Sequence, residues 1–144
     1  MKVELGDLIV IPLAGKNALA HIVWISSQMK NVFGFCVFNE LYIEDSFDIK
    51  KVKVGEYLKV KMFSGEVSVL YGDIRNVKKS VWPKIAHLDL QDSYKEMIIH
   101  NIGGNLYEGD VLLRTLSPSE YLLFPKVLSA GNKAVENILI QSFQ

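Results

Sequence analysis

Short runs of apolar and β-branched residues, separated by turn residues, recur along most of the chain. Runs of this length, bounded by Gly, Asn, Ser or Pro, predict β-strands. We predict strands over residues 7–13, 18–26, 32–38, 57–63, 67–71, 85–90, 96–101 and 106–116, the last with a candidate break at Gly109-Asp110. In one of these runs Leu58, Val60 and Met62 alternate with lysines, which indicates a strand with one exposed face. The connection 39–53 is polar and mixed, and its pattern fits a helix or a loop equally well.

The C-terminal segment has the period of a helix instead. Residues 133–143 carry apolar side chains three and four positions apart, at Val135, Ile138, Leu139 and Phe143. Ser129 or Asn132 is placed to cap this helix. Many short strands followed by one helix predict an α+β fold, mostly β, with the helix packed on a strongly bent antiparallel sheet or a small barrel. We find no repeat or linker, so residues 1–144 are predicted to form a single domain.

Composition indicates which partners and which cellular compartment to expect for this protein. Lys plus Arg and Asp plus Glu number 16 each, so the net charge is zero, whereas general nucleic-acid binders carry a basic excess. The single cysteine, Cys36, lies in an apolar run and is predicted to be a buried structural thiol without a disulfide partner. The N-terminal residues lack the pattern of a signal peptide, and no apolar run reaches the roughly 18 residues of a transmembrane helix. We therefore expect a cytoplasmic protein with no membrane contact.

Local motifs for catalysis or metal binding are missing from the sequence. His21, His87 and His100 each lie in an apolar run, and none stands three or four residues from another ligand in a metal-binding pattern. We therefore predict no metal, no cofactor and no enzymatic activity, with each imidazole in a structural role. An enzyme whose site is assembled from distant residues stays open as an alternative, in which a histidine meets a carboxylate in the fold. The acids available for this are Asp7, Asp73, Asp89 and Asp110.

One polar segment, residues 39–48, combines carboxylates with interleaved aromatic residues. Acidic groups beside aromatic side chains suit a basic protein surface, because complementary charge speeds association and aromatic rings supply anchors. The residues predicted to bind a partner are Glu40, Tyr42, Glu44, Asp45, Phe47 and Asp48. The other interpretation is a solvated connection whose aromatic rings pack into the core.

A second candidate binding feature surrounds Trp82. Basic residues flank this tryptophan, at Arg75, Lys78, Lys79 and Lys84. An exposed indole among cations would form a stacking platform for single-stranded nucleic acid. The alternative is a tryptophan buried at a chain corner with solvated lysines around it, because Pro83 forces the preceding residue into extended geometry.

Two segments together resemble a known family. The opening Gly6-Asp7-Leu8-Ile9-Val10-Ile11-Pro12-Leu13, followed by a second strand over residues 18–23, resembles the start of the immunity protein 26 family. The later stretch 74–88 contains Lys79-Ser80-Val81-Trp82-Pro83-Lys84-Ile85-Ala86-His87, which is similar to that family's Trp-Pro signature. The resemblance covers residues 1–90 and departs from the family pattern at Ala86, where glycine is commoner, and at the turn 15–17, which lacks the usual acidic residue.

The resemblance implies an immunity protein of a bacterial polymorphic-toxin or contact-dependent inhibition system. Such a protein binds the C-terminal toxin domain made by its own cell or sister cells. It blocks the toxin by covering the active site or a nearby surface, without chemistry of its own. From the residues alone, a small-barrel module that binds nucleic acid stays open as the alternative function.

Overall fold

The computed structural model describes residues 2–43, 48–62 and 65–144. The chain is mostly β, as predicted. The strands are β1 (Asp7–Leu13), β2 (Lys16–Ile25), β3 (Val32–Tyr42), β4 (Val60–Met62), β5 (Gly65–Val67), β6 (Val69–Asp73), β7 (Lys84–His87), β8 (Ile99–Ile102), β9 (Asn105–Glu108) and β10 (Val111–Thr115). The helices are α1 (Arg75–Lys78), α2 (Tyr94–Met97) and α3 (Asn132–Ser142), with 3₁₀ turns at Ile49–Lys51 and Pro118–Glu120.

The central element is a five-stranded antiparallel sheet in the order β6-β3-β2-β1-β7. The predicted hairpin of the first two strands is confirmed, and Gly15 supplies the positive φ of its tight turn. Pairing of β2 with β3 shifts register twice, and such bulges bend a sheet. Within the described residues the sheets stay open, so the bent sheet rather than a closed barrel is present. Residues 39–42, for which helix or loop was predicted, continue β3 instead.

Side chains on both faces of β1 are buried, because a separate apolar cluster packs against each face of the sheet. Ile9 and Ile11 point into one cluster with α3, while Leu8 and Val10 point into a second cluster on the opposite face. Trp82 lies in the first cluster with no exposed surface and contacts the Phe35 ring at 5.6 Å between centroids. The interpretation of Trp82 as a buried corner residue is therefore confirmed, and the ring is not available as a stacking platform.

A smaller antiparallel sheet in the order β10-β9-β8 lies beside the central one. The predicted strand 106–116 is broken at Gly109-Asp110, as the sequence indicates, because β9 ends at Glu108, β10 begins at Val111 and the φ of +59° at Gly109 fits a turn. Residues 125–127 run parallel to β8, because the Asn101 N–H donates to the Pro125 carbonyl at 2.8 Å and the Val127 N–H donates back to Asn101 at 3.0 Å. This segment covers the β8 edge of the small sheet. Among the described residues, no strand pairs with the opposite edge, at β10.

The C-terminal helix is confirmed and packs Val135 and Leu139 into the core. Its predicted side-chain cap is wrong, because Gly131 occupies the cap position and the helix begins at Asn132. The predicted strand 96–101 is also wrong at its start: α2 occupies 94–97, and the strand begins at Ile99. Local turn bonds such as Tyr94 N–H to the Gln91 carbonyl satisfy this backbone before it reaches the sheet. Among the described residues, no helix has the length and apolar character needed to cross a bilayer.

Candidate partner-binding surface

The most exposed apolar side chains of the small sheet lie on its uncovered strand, β10. Val111, Leu112 and Leu113 are 65%, 58% and 48% exposed. Register with β9 shifts between Leu112 and Arg114, so this bulge leaves three consecutive apolar residues outside any core. Exposed edge strands are usually short, charged or covered, because their free N–H and C=O groups pair readily with other chains. The apolar, uncovered edge of β10 is therefore a candidate site for binding another chain.

The loop after β10 also exposes apolar side chains. Three leucines in it are exposed, at Leu122, Leu123 and Leu128. Arg114 on the strand holds the loop through a double hydrogen bond to Glu120, with distances of 3.0 and 2.7 Å. That pairing, together with bonds from Ser117, lowers the pKa of Glu120 to about 2. We call Val111–Leu113 with these three leucines the apolar edge.

Hydrogen bonds to the carboxylate of Asp110 fix the position of the apolar edge relative to the central sheet. The hydroxyl of Ser26 donates to it at 2.7 Å, and the N–H of Ser27 donates at 2.8 Å. These two serines follow the end of β2, so the turn before β10 is tied to the main sheet. Polar contacts thus fix the turn at which β10 begins, while Val111, Leu112 and Leu113 on that strand stay exposed.

Beneath the loop lies an apolar cavity of about 460 Å³. Its floor is formed by β6 and α3, and Leu122 and Leu128 of the apolar edge line it as well. The apolar edge and the cavity are therefore continuous. A volume of this size lies in the range of about 300–1,000 Å³ that ligand pockets occupy.

The predicted acidic binding segment is only partly within the described residues. Glu40 and Asp48 are exposed and Tyr42 is half-buried, whereas Glu44, Asp45 and Phe47 lie outside the residues that the structure describes. Glu40 and Tyr42 line a cleft of about 480 Å³ that also contains Lys51 and Lys53. The cleft is therefore of mixed charge rather than purely acidic. The assignment of this segment to partner contact stays a prediction.

Two of the histidines are buried and fully hydrogen-bonded. His21 Nε2 donates to the Leu88 carbonyl at 2.7 Å, so its Nδ1 accepts from the Tyr57 hydroxyl at 2.9 Å. His100 Nε2 donates to the Gly109 carbonyl at 2.9 Å, so its Nδ1 accepts from the Tyr71 hydroxyl at 3.1 Å. Burial lowers the pKa of both rings. The predicted structural role is confirmed for these two residues.

The third histidine, His87, lies between two carboxylates. Its Nδ1 is 2.9 Å from Asp7 and its Nε2 is 3.0 Å from Asp89. These bonds, the one to Asp7 first, raise the pKa of His87. The pairing of a histidine with a carboxylate that an assembled active site requires is thus present. Both ring nitrogens are occupied, however, so in this arrangement neither is free to accept a proton from a substrate.

Asp7 also belongs to a group of side chains that could hold a metal ion, because ligand atoms of Glu4, Asp7 and His87 lie within 4.8 Å of one another. The carboxylate is fully buried and already has three donors: the Glu4 N–H at 2.7 Å, the His87 ring, and the Lys84 ammonium at 3.2 Å. Lys84 therefore supplies the positive charge that a cation would bring. Burial by itself would raise the pKa of Asp7, but these donors outweigh burial and the pKa is lowered.

Sequence reasoning missed the apolar edge. A run such as Val111-Leu112-Leu113 is typical of a buried strand, and only its position at a sheet edge exposes it. One signal was present in the chain: the run does not alternate, and Arg114 follows it directly. The loop that follows contains another exposed apolar segment, the pair Leu122-Leu123.

Comparisons with known proteins identify no similar protein. Neither the family models, nor the curated proteins, nor the solved structures gave a match to the chain. The assignment of a function therefore depends on the residues quoted for the immunity-protein resemblance and on the geometry of the apolar edge.

Proposed function

We propose that this chain is an immunity protein that binds and neutralises a cognate bacterial toxin domain. The observation that carries the proposal is the apolar edge, where the sheet-edge strand β10 and three leucines of the following loop expose apolar side chains. Several exposed large apolar side chains on a sheet edge and the loop that follows it support a protein-interaction site, since large exposed apolar patches on soluble domains often mark such sites. The resemblance of residues 1–90 to the immunity protein 26 family supports the same function.

The chemistry of the edge suits a protein partner in two ways. The outer side of β10 offers backbone N–H and C=O groups to which a partner strand can add, which is a common mode of recognition. Leu112 and Leu123 supply apolar contacts that would be desolvated at the centre of such an interface. Arg114 and Glu120 form an ion pair, so neither of these two charges would be left unpaired at the rim of the interface.

The acidic segment has a separate role in this proposal. Glu40 and Asp48 are exposed carboxylates on a part of the fold built by the end of β3 and the first 3₁₀ turn. Exposed charges mainly change the rate of association, whereas desolvated apolar anchors change the rate of dissociation. We expect substitutions in the two regions to be separable by kinetics.

The test is protection of growing cells. The adjacent upstream gene is expected to encode a large secreted protein with a variable C-terminal domain, and that domain is expressed with or without this chain. We expect the wild-type chain to restore growth and to form a one-to-one complex with the domain. Leu112→Asp should abolish both, because it places a charge at the centre of the interface.

Ile85→Asp is the matched control, because Ile85 is also an exposed apolar residue of an edge strand but lies on β7 of the central sheet. We expect this variant to protect like wild type. Equal protection by wild type and Leu112→Asp would remove the apolar edge as the binding surface. Failure of the wild-type chain to bind or protect against the neighbouring domain would remove the immunity function itself.

A further inference from the structure

We propose that the apolar cavity beneath the loop is a binding site for an aliphatic carboxylate, a small molecule with a hydrocarbon body and an anionic head. This site is independent of the immunity function proposed above and requires only the folded chain. The body of the cavity is aliphatic, formed by β6, α3 and the loop. Its members include Val69, Leu70, Val135 and Ile138. Such a surface favours an apolar ligand by removing hydrocarbon from water.

The polar residues of the cavity define the head group. Asn101 lines the cavity and is only 3% exposed. Its Oδ1 accepts a hydrogen bond from the Gly104 N–H at 2.8 Å, so the other end of the side chain must be the NH₂ group. In the part of the chain that the structure describes, no hydrogen bond uses this NH₂ as a donor. The residue as a whole is 3% exposed and lines the cavity, so its NH₂ is a fixed donor that a ligand oxygen in the cavity can accept from.

Charge in the cavity has one sign. Lys126 lines the cavity next to Asn101, to which it is joined by a parallel bridge, and it forms no ion pair with any described residue. The described lining residues include no Asp or Glu. A lysine and an amide donor beside an aliphatic chamber select an anion over a neutral head, because charge-assisted hydrogen bonds are the stronger ones.

The experiment is a calorimetric titration of the purified chain with decanoate and, in parallel, with decan-1-ol. We expect decanoate to bind with one-to-one stoichiometry and about tenfold more tightly than the alcohol, which corresponds to one charge-assisted contact. In a ¹H–¹⁵N spectrum, the side-chain NH₂ signals of Asn101 should shift on addition of decanoate. Absence of saturable binding, or binding of many molecules per chain, would overturn the proposal.

Two variants test the head-group contacts. Asn101→Asp keeps the acceptor for Gly104 but replaces the NH₂ donor by a second oxygen, so decanoate binding should be lost while decan-1-ol binding remains. Lys126→Gln changes an exposed residue and should weaken decanoate about tenfold with little effect on the alcohol. Lys95→Gln is the control, since Lys95 is exposed and does not line the cavity. Equal affinity of Lys126→Gln and wild type for decanoate would refute the carboxylate assignment.

A filling variant tests the body of the site. Ile138→Trp on α3 places a larger side chain in the cavity and should abolish binding of both ligands. Its urea midpoint and circular dichroism spectrum establish that it is folded. Unchanged binding by a folded Ile138→Trp protein would place the ligand elsewhere and overturn the proposal.

Discussion

At the residue scale, the polar interior of the fold depends most on Asp7. Its carboxylate has no solvent exposure and is held by the Glu4 N–H, the His87 ring and the Lys84 ammonium. A buried charge is tolerated only when its partners satisfy it, and removing one member leaves the others uncompensated. Asp7 therefore joins the start of β1 to β7 through charge as well as through strand pairing.

We expect Asp7→Asn to lower the free energy of unfolding by about 3 kcal/mol, because it leaves two cationic groups facing a neutral amide. The matched variant is Asp89→Asn, which removes the second carboxylate of the same histidine but from a side chain that is 97% exposed. Exposed pairs contribute roughly 1 kcal/mol or less, so this variant should be nearly neutral. Urea denaturation at pH 7 measures both. Equal effects of the two substitutions would contradict the role assigned to burial.

The sequence offered Asp7 as one of four acids that could meet a histidine, but its spacing did not identify His87 as the partner. They stand 80 positions apart and meet because β7 pairs with β1. Strand order is decided by packing of the whole chain, and spacing along one strand carries no information about it. The burial of Cys36 was predictable, in contrast, because its own neighbours in the chain form an apolar run; burial raises the pKa of that thiol to about 12.

At the scale of elements, α3 shows what periodicity can predict. The helical spacing of Val135 and Leu139 identified the face that packs on the sheet, and both residues are buried there. A cap depends on one backbone geometry, and here Gly131 provides it with an extended conformation and no side chain. Spacing therefore located the helix but not the way it begins.

We expect Leu139→Ala to destabilise the protein by about 2–5 kcal/mol, because the side chain is fully buried and the space it leaves does not collapse completely. Asn137→Ala on the exposed side of α3 is the control, and it should be neutral or stabilise by a few tenths of a kcal/mol through helix propensity. Thermal and urea unfolding measure both variants. A small loss for Leu139→Ala would mean that α3 is only loosely docked.

The small sheet shows where periodicity fails. Residues 106–116 were predicted as a strand with a candidate break at Gly109-Asp110, and the run Val111–Leu113 within them has the pattern of a buried strand. The run lies on β10, at the edge of the small sheet where no described strand pairs, and its side chains are exposed. Residues 125–127 cover only the other edge, at β8. An apolar run identifies a buried surface without saying whether the cover is this chain or another molecule. That ambiguity is why the apolar edge became visible only in the structure.

At the scale of the whole molecule, three histidines with opposite shifts set the dependence of stability on pH. Burial lowers the pKa of His21 and His100, so their contribution is complete above the unfolded value of about 6.5 and is lost as the pH falls below it. Hydrogen bonds to Asp7 and Asp89 raise the pKa of His87. Its contribution is complete below about pH 6.5 and is lost as the pH rises through the folded value.

These opposite signs predict that the free energy of unfolding is greatest near pH 6.5–7 and falls on both sides. The acidic side should be the steeper one, by at most about 1.4 kcal/mol per pH unit for each buried histidine. The His87 side chain is 42% exposed, so solvent screens its pairs and the alkaline side should be shallow. Urea midpoints measured at intervals from pH 5 to pH 9 give the whole curve.

Single substitutions test which histidines cause the fall in stability on the acidic and on the alkaline side. His100→Gln keeps a donor for Gly109 and an acceptor for Tyr71 but does not titrate, so the slope between pH 6.5 and pH 5 should fall by about half, since one of the two buried imidazoles remains. His87→Gln should flatten only the alkaline side. A midpoint that rises steadily as the pH falls from 7 to 5 would mean that the buried rings accept protons in the folded state. That outcome would contradict the neutral rings assigned to His21 and His100, each with its proton on Nε2 and donated to a backbone carbonyl.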